Sequence, residues 1–327
     1  SAIGMDYDEL TEQWHKYIKK EFYPDVAGRD EVEDIAKKLT DHKKARNVYN
    51  VSPSISPDGG KIAFLTNNLS YFDIDLIDAV TGKKIKKLIK GSRSLDFEEL
   101  KFLQPGISWS PDSKKIVFAA KSGSGDALYI VDIESEQKEK IPFELDGVFS
   151  ATWSPQGDKL AFVGYEKGAS DIYIYDINKK THFNLTKDIY SDSEPSWSPD
   201  GSSIAFVSDR DDAVKKSIST AQDMIAVDYE SKDIYVINIE TENLKQITST
   251  GYNEDYPVFA NTEKSLFYIA DSSGTWNLFK YDLASGSTSV VTNLLTGIFQ
   301  LSINKYDDAM VFSGYSNRGW DVYRLNN

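Results

Sequence analysis

The sequence predicts an all-β fold, a six-bladed β-propeller closed by an N-terminal strand, with a short N-terminal helical leader. Three observations carry this. A turn motif followed by an apolar run recurs six times, its base period is 44 residues, and each copy holds four short strand-like runs. Four antiparallel strands repeated at a period of about 40–50 residues are the signature of a propeller blade.

In chain order, residues 1–33 read as the leader. Ser1-Ala2-Ile3-Gly4 ahead of Met5 has the look of a cloning remnant. Leu10, Trp14, Tyr17, Ile18 and Phe22 then make one helical stripe over about 7–22, stopped at Tyr23-Pro24. Trp14 and Tyr17 are expected to pack on the outer wall of the propeller; the alternative is a helix that docks a preceding domain. Residues 34–327 form the propeller, and 34–40 its closing strand. A rival reading makes this segment helical, because Val32, Ile35, Ala36 and Leu39 have helical spacing and Asp30-x-x-Glu33 matches a capping box.

The turn motif appears as SISPDGGKIAF at Ser54, SWSPDSKKIVF at Ser108, TWSPQGDKLAF at Thr152 and SWSPDGSSIAF at Ser196. Weaker copies are VFANTEKSLFY at Val258 and SINKYDDAMVF at Ser302. Anchors at 57, 111, 155, 199, 261 and 305 give spacings of 54, 44, 44, 62 and 44, so two blades carry insertions of 10 and 18 residues. After each turn an alternating run such as Ile204–Ser208 forms the second strand. A third strand follows at Asp73, Asp171, Asn277 and Asp321, and a fourth ends in an apolar residue and Thr, as at Leu185-Thr186, Ile247-Thr248 and Val291-Thr292. The last blade ends near Leu325 without an outer strand, and Lys38-Leu39-Thr40 supplies the missing ending. Closure of this kind removes exposed sheet edges. The lysine-rich run Lys83–Lys90 falls on the outer strand of blade one, where lysines blunt edge-to-edge aggregation.

These motifs resemble the TolB-like, WD-type propeller repeat, whose pattern is carried by SWSPDGSSIAFVSDRD and DIYVINIETENLKQIT over about 290 residues. The stretch from Glu9 to Gly59 is also similar to the junction at which some bacterial envelope proteins join a metallopeptidase-like domain to such a propeller. The resemblance implies a periplasmic or envelope-associated location. It also implies a protein or peptide partner, which includes a domain of the same longer chain.

Composition narrows the function. A net charge of −14 argues against duplex nucleic acid or anionic membrane as the main partner. The absence of cysteine excludes disulfides and thiolate chemistry, and three histidines, His15, His42 and His182, fall at scattered repeat positions. Neither G-x-S-x-G nor H-E-x-x-H occurs, and no run is long enough to insert in a membrane. The expectation is a non-enzyme with no cofactor and no metal. The three aspartates Asp209, Asp211 and Asp212 invite a Ca²⁺ reading, but their spacing is not that of an EF-hand.

Antiparallel connectivity places the two insertions, about 91–106 and 209–232, at the same end of the ring. Loops on a rigid scaffold are where binding is placed. The predicted ligand-binding face comprises Tyr71, Tyr165, Glu194, Asp209, Arg210, Asp211, Glu254, Asp255, Trp276 and Trp320, with Phe72, Asp192 and Tyr252 beside them. Aromatic faces with acidic neighbours stack on sugars or receive a basic peptide. The expected role is protein or peptide binding or gating; the alternatives are a carbohydrate-binding module and a propeller glycoside hydrolase or lyase.

Overall fold

A computed structural model describes residues 6–68, 71–91, 99–101, 106–123, 125–210 and 232–326. Its sheets form six blades in sequence order. Blade three shows the plan: an inner strand Gly147–Trp153, a second strand Lys159–Glu166, a third Ala169–Asp176 and an outer Thr181–Asn184, each paired antiparallel with the next. The other inner strands are Asn50–Ile55, Ile107–Trp109, Asp192–Trp197, Glu254–Phe259 and Ile298–Ile303. The lysine-rich run is the outer strand of blade one, Lys84–Lys90.

The turn motif recurs because it is a self-contained hydrogen-bonded unit. In blade one the Ser56 hydroxyl donates to Asp58 and accepts from the Lys61 N–H, while Gly59 donates its N–H to the Ser56 carbonyl. Gly59 sits at φ +74°, and Gly157 and Gly201 take the same left-handed place in their turns. That conformation suits glycine, and the Asx geometry suits Asp, so the Ser-Pro-Asp-Gly composition follows from the turn itself.

The ring closes as the threonine pattern predicts. β1 (Lys37–Lys38) pairs with Gly319–Asn326, the third strand of blade six. Leu39 then donates to the Val322 carbonyl, and Val322 donates back to the Thr40 hydroxyl at 2.9 Å. Leu185 and Thr186, Ile247 and Thr248, and Val291 and Thr292 make the same two bonds in blades three, four and five. The helix and strand readings of 30–40 share the segment. α2 (Val32–Ile35) precedes β1, with its capping box at Glu31 and Asp34, one residue beyond the expected pair. α3 (His42–Ala45) follows.

Each boundary between neighbouring blades encloses its own cluster of buried apolar residues, six in all. The stability of the ring is thus distributed over its seams, as expected where each repeat must bury its faces against neighbours.

The leader differs from expectation. α1 (Tyr7–Val26) forms, N-capped by Asp6. Trp14 and Tyr17, however, are 58% and 60% exposed and do not pack on the outer wall. The stripe is real but stands in solvent. No helix among the described residues is long and apolar enough to cross a membrane.

Candidate binding face and channel

Five of the six inner strands carry a β-bulge with a left-handed residue at its centre: Ser52, Ser150, Glu194, Tyr256 and Gln300, at φ between +47° and +63°. Gly106 holds the equivalent place in blade two. All six line the central channel, which encloses about 250 Å³. A bulge re-aims a side chain out of the regular alternation of its strand. The repeat therefore turns one residue per blade toward the axis. Beyond this ring the wall combines hydroxyls from Ser54, Ser108, Thr152, Ser196 and Ser302 with apolar residues such as Ile107, Val258 and Ile303, and several of the hydroxyls hold the next blade. Ser302, for example, accepts from Ile55 N–H at 3.2 Å, and Ser108 from Trp153 N–H at 3.0 Å. The opposite mouth is ringed by Pro57, Pro111, Pro155 and Pro199 with Trp109, Trp153 and Trp197.

At the end where inner strands begin and second strands finish, half-buried aromatics form an arc. Ring centroids lie 5.7 Å apart for Trp276 and Phe299, 5.2 Å for Phe299 and Trp320, and 5.3 Å for Tyr315 and Trp320. Trp320 donates its backbone N–H to Val48, beside Tyr49, whose ring lies 6.0 Å from that of Phe72. The arc thus runs from blade five through blade six to blade one. Tyr71 and Tyr165 are exposed at the same end, and Asp255 is half-buried.

The other predicted residues are occupied inside the blade seams. Asp209 is buried and accepts the Ser191 N–H at 2.8 Å. Arg210 donates to both oxygens of the fully buried Asp192, at 2.7 and 2.9 Å, and also to Asp188. Glu254 is 1% exposed, held by Thr248 and Thr250. Asp211 and Asp212 lie outside the described residues, as does most of each insertion.

These seam groups follow a rule that the sequence reading missed. Within the first three residues of each third strand lies a buried Asp or Asn: Asp73, Asp126, Asp171, Asp233, Asn277 and Asp321. Asp171, Asn277 and Asp321 share a threonine hydroxyl from one repeat position, and the remaining partners differ from blade to blade. Lys87 and the Gly91 N–H meet Asp73; Lys101 and the Val148 N–H meet Asp126. Asn184, Thr186 and the Asp188 N–H meet Asp171, and Asn277 accepts from Thr292 and the Leu294 N–H. Asp321 receives Thr40, Asn50, Lys38 and both the N–H and the ring Nδ1 of His42, the last at 2.6 Å. His42 is therefore a buried seam residue. The available signal was the Asp or Asn that opens each third-strand run.

Asp171, Asp188 and Asp192 bring their oxygens close enough to share a metal ion. Arg210 already supplies positive charge to two of them, which fits an organic cation better than a metal.

Burial pushes the Asp192 carboxyl up to about 7 even against Arg210, and pushes Glu254 up to about 8, helped by repulsion from Asp233. Against their ordinary values of 3.8 and 4.5, these groups hold protons in the folded state that the unfolded chain has lost. Stability from them is therefore greatest below the ordinary carboxylate range and falls as pH rises through about 4.5 to 8. The melting temperature should be higher at pH 5.5 than at pH 8.5, and Glu254→Gln should flatten that slope. A melting temperature that rises over this range would contradict the assignment.

By repeat, blade count and closure this is a six-bladed β-propeller. Residues 98–215 match the family model described as the TolB beta propeller domain. TolB from Acinetobacter baumannii is similar in fold, with a TM-score of 0.61 at 21% identity over 83% of this chain and 64% of that one. The match thus spans less than two thirds of that protein. An oligogalacturonate lyase from Vibrio parahaemolyticus gives a TM-score of 0.58 at 11% identity, covering 91% and 95%. The propeller domain of the Trilobed protease from Pyrococcus furiosus, described as having an open velcro topology, gives 0.54 at 13% identity, covering 86% and 93%. No curated relative matches by sequence.

Proposed function

We propose that residues 34–327 act as a non-catalytic scaffold of the cell envelope that binds a protein or peptide, with 1–33 a separate leader. Binding takes place at the end of the ring carrying the insertions 91–106 and 209–232. The aromatic arc Trp276–Phe299–Trp320–Tyr315 carries this reading. It is half-exposed, spans a blade seam and borders the channel mouth. Aromatic side chains at such positions dominate binding energy in protein interfaces. The described channel lining offers one carboxylate, Glu194, whereas acid–base cleavage of a glycosidic bond uses two.

A displayed random-peptide library panned over the protein tests the reading. Selected peptides should bind Trp276→Ala and Phe299→Ala at least about tenfold more weakly, the loss expected of a buried aromatic anchor. Binders indifferent to both changes would overturn the assignment of the face. A carbohydrate reading has its own support in the stacking geometry of the arc and in the similarity to an oligogalacturonate lyase. Binding of oligogalacturonides that is lost in the same variants, with no peptide selected, would establish that reading instead.

A further inference from the structure

We propose that the upper channel holds a site for a single primary ammonium group, with Glu194 as its counter-charge. The inference rests on the peptide-binding reading and names the chemistry the channel selects. Of the six equivalent positions that face the axis, five hold Ser52, Gly106, Ser150, Tyr256 and Gln300, and Glu194 alone carries a carboxyl group. Among the described lining residues there is no lysine, arginine or histidine. Gln300, two blades away, is already engaged by the Ser52 N–H and the Ser313 hydroxyl, both at 2.7 Å. The partner of Glu194 is Tyr256, through its N–H at 2.5 Å and its phenol. A carboxylate has about four acceptor positions, so roughly half remain for an incoming donor.

Size narrows the ligand further. This end of the channel, about 250 Å³ and continuous with the opposite mouth, is smaller than the roughly 300–1,000 Å³ of pockets that surround whole small molecules. The channel suits an unbranched chain carrying the charge at its tip, which describes a lysine side chain or a peptide N-terminus threaded from the aromatic rim. The walls alternate serine and threonine with apolar residues such as Ile107, Val258 and Ile303, which suits the methylene stem of such a chain.

The electrostatics add a signature. Burial, then repulsion from Asp255, pushes the Glu194 carboxyl up to about 8, against the Tyr256 N–H and the charge of Lys232 at the rim. Asp255, Tyr256 and Lys232 are the charged and titratable groups that face it. Seating an ammonium ion ionises Glu194, whose proton passes to the buffer. Affinity therefore rises with pH up to about 8 and levels off until the ligand amine itself deprotonates, near 10.4 for lysine.

Calorimetric titration with three probes tests the site: Ac-Gly-Gly-Lys-Gly-Gly-amide, its norleucine counterpart, and unblocked triglycine. The expected result is binding of an ammonium probe that tightens about tenfold from pH 6.5 to 7.5 and is lost at least tenfold in Glu194→Gln. Binding of the blocked lysine peptide alone identifies a side chain as the source, and of triglycine alone a chain end. Gln is the residue at the same repeat position in blade six, at φ +63°, so the variant keeps a side chain that this backbone accepts. Asp255→Asn serves as the rim control and should change affinity less than about threefold. Equal binding of the norleucine peptide, unchanged affinity in Glu194→Gln, or no ammonium binding at millimolar concentration would each overturn the proposal. The peptides selected by panning separate the two levels: binders that need Trp276 yet bind Glu194→Gln normally would retain the face and remove the ammonium site.

Discussion

A chain that starts at Arg46 should melt on the order of 10 °C below one that starts at Ala27. The shorter chain loses β1, so the third strand of blade six becomes an open edge. It also loses Lys38, Thr40 and His42, three of the residues that surround the fully buried Asp321 carboxylate. The Asp321 carboxylate holds the Lys38 ammonium above its ordinary range, although burial works against it. Removing one side of a buried charged pair costs about 3–5 kcal/mol, which in a domain of this size is several degrees before the lost strand is counted. Removing only residues 1–26 should shift the melting temperature by no more than about 2 °C, since surface changes of this kind fall within roughly 0.5 kcal/mol. The aromatic residues of α1 are largely exposed, so little packing is lost with it. Thermal melts followed by circular dichroism check both; equal midpoints for the Arg46 chain and the full chain would refute strand closure as a stabilising device.

Arg210→Met should be the most damaging single substitution away from the apolar clusters, at about 3–5 kcal/mol. It leaves Asp192, with no exposed surface, and Asp188 facing one another without their guanidinium. Two further results distinguish this account from a packing defect. The deficit should shrink at pH 5, where Asp192 takes up a proton. It should also largely disappear in Arg210→Met with Asp192→Val, because Val148 and Ile298 occupy the same repeat position in blades three and six. Denaturant unfolding at pH 5 and pH 8 measures all three. A double variant as unstable as the single one would show that Arg210 acts through its aliphatic stem and not its charge.

Blade count, turn chemistry and closure were legible in the sequence because each is local or periodic. Ser56, Asp58 and Gly59 interact within four residues, and Thr40 repeats a pattern visible at Thr186, Thr248 and Thr292. The seams were not legible. His42 and Asn50 meet Asp321 from the opposite end of the chain, and Arg210 reaches back to Asp188 and Asp192 across a strand pair, so no periodicity reports them. Strand direction alone groups Glu194, Asp255, Trp276 and Trp320 toward one end of the ring. It did not separate them from Asp209, Arg210 and Glu254, because exposure depends on what the neighbouring blade brings. Phe299, at the centre of the aromatic arc, was passed over since its inner strand lacks the Ser-Pro motif. The leader stripe was read correctly as helix and wrongly as packed, since an apolar stripe shows that a partner is needed without showing which.

The varied partners of the third-strand Asp or Asn have a consequence for how such a chain assembles. Six near-copies of one sheet invite misordering, since any blade's apolar face would accept almost any other's. The Val148 N–H of blade three meets Asp126 of blade two, and Asn50 of blade one, with Lys38 and His42 of the closing segment, meets Asp321 of blade six. A blade docked beside the wrong neighbour at these junctions would strand a carboxylate in the interior of the ring. The polar residues of the seams act in this way as an address code, written on a scaffold whose hydrophobic surfaces are nearly interchangeable.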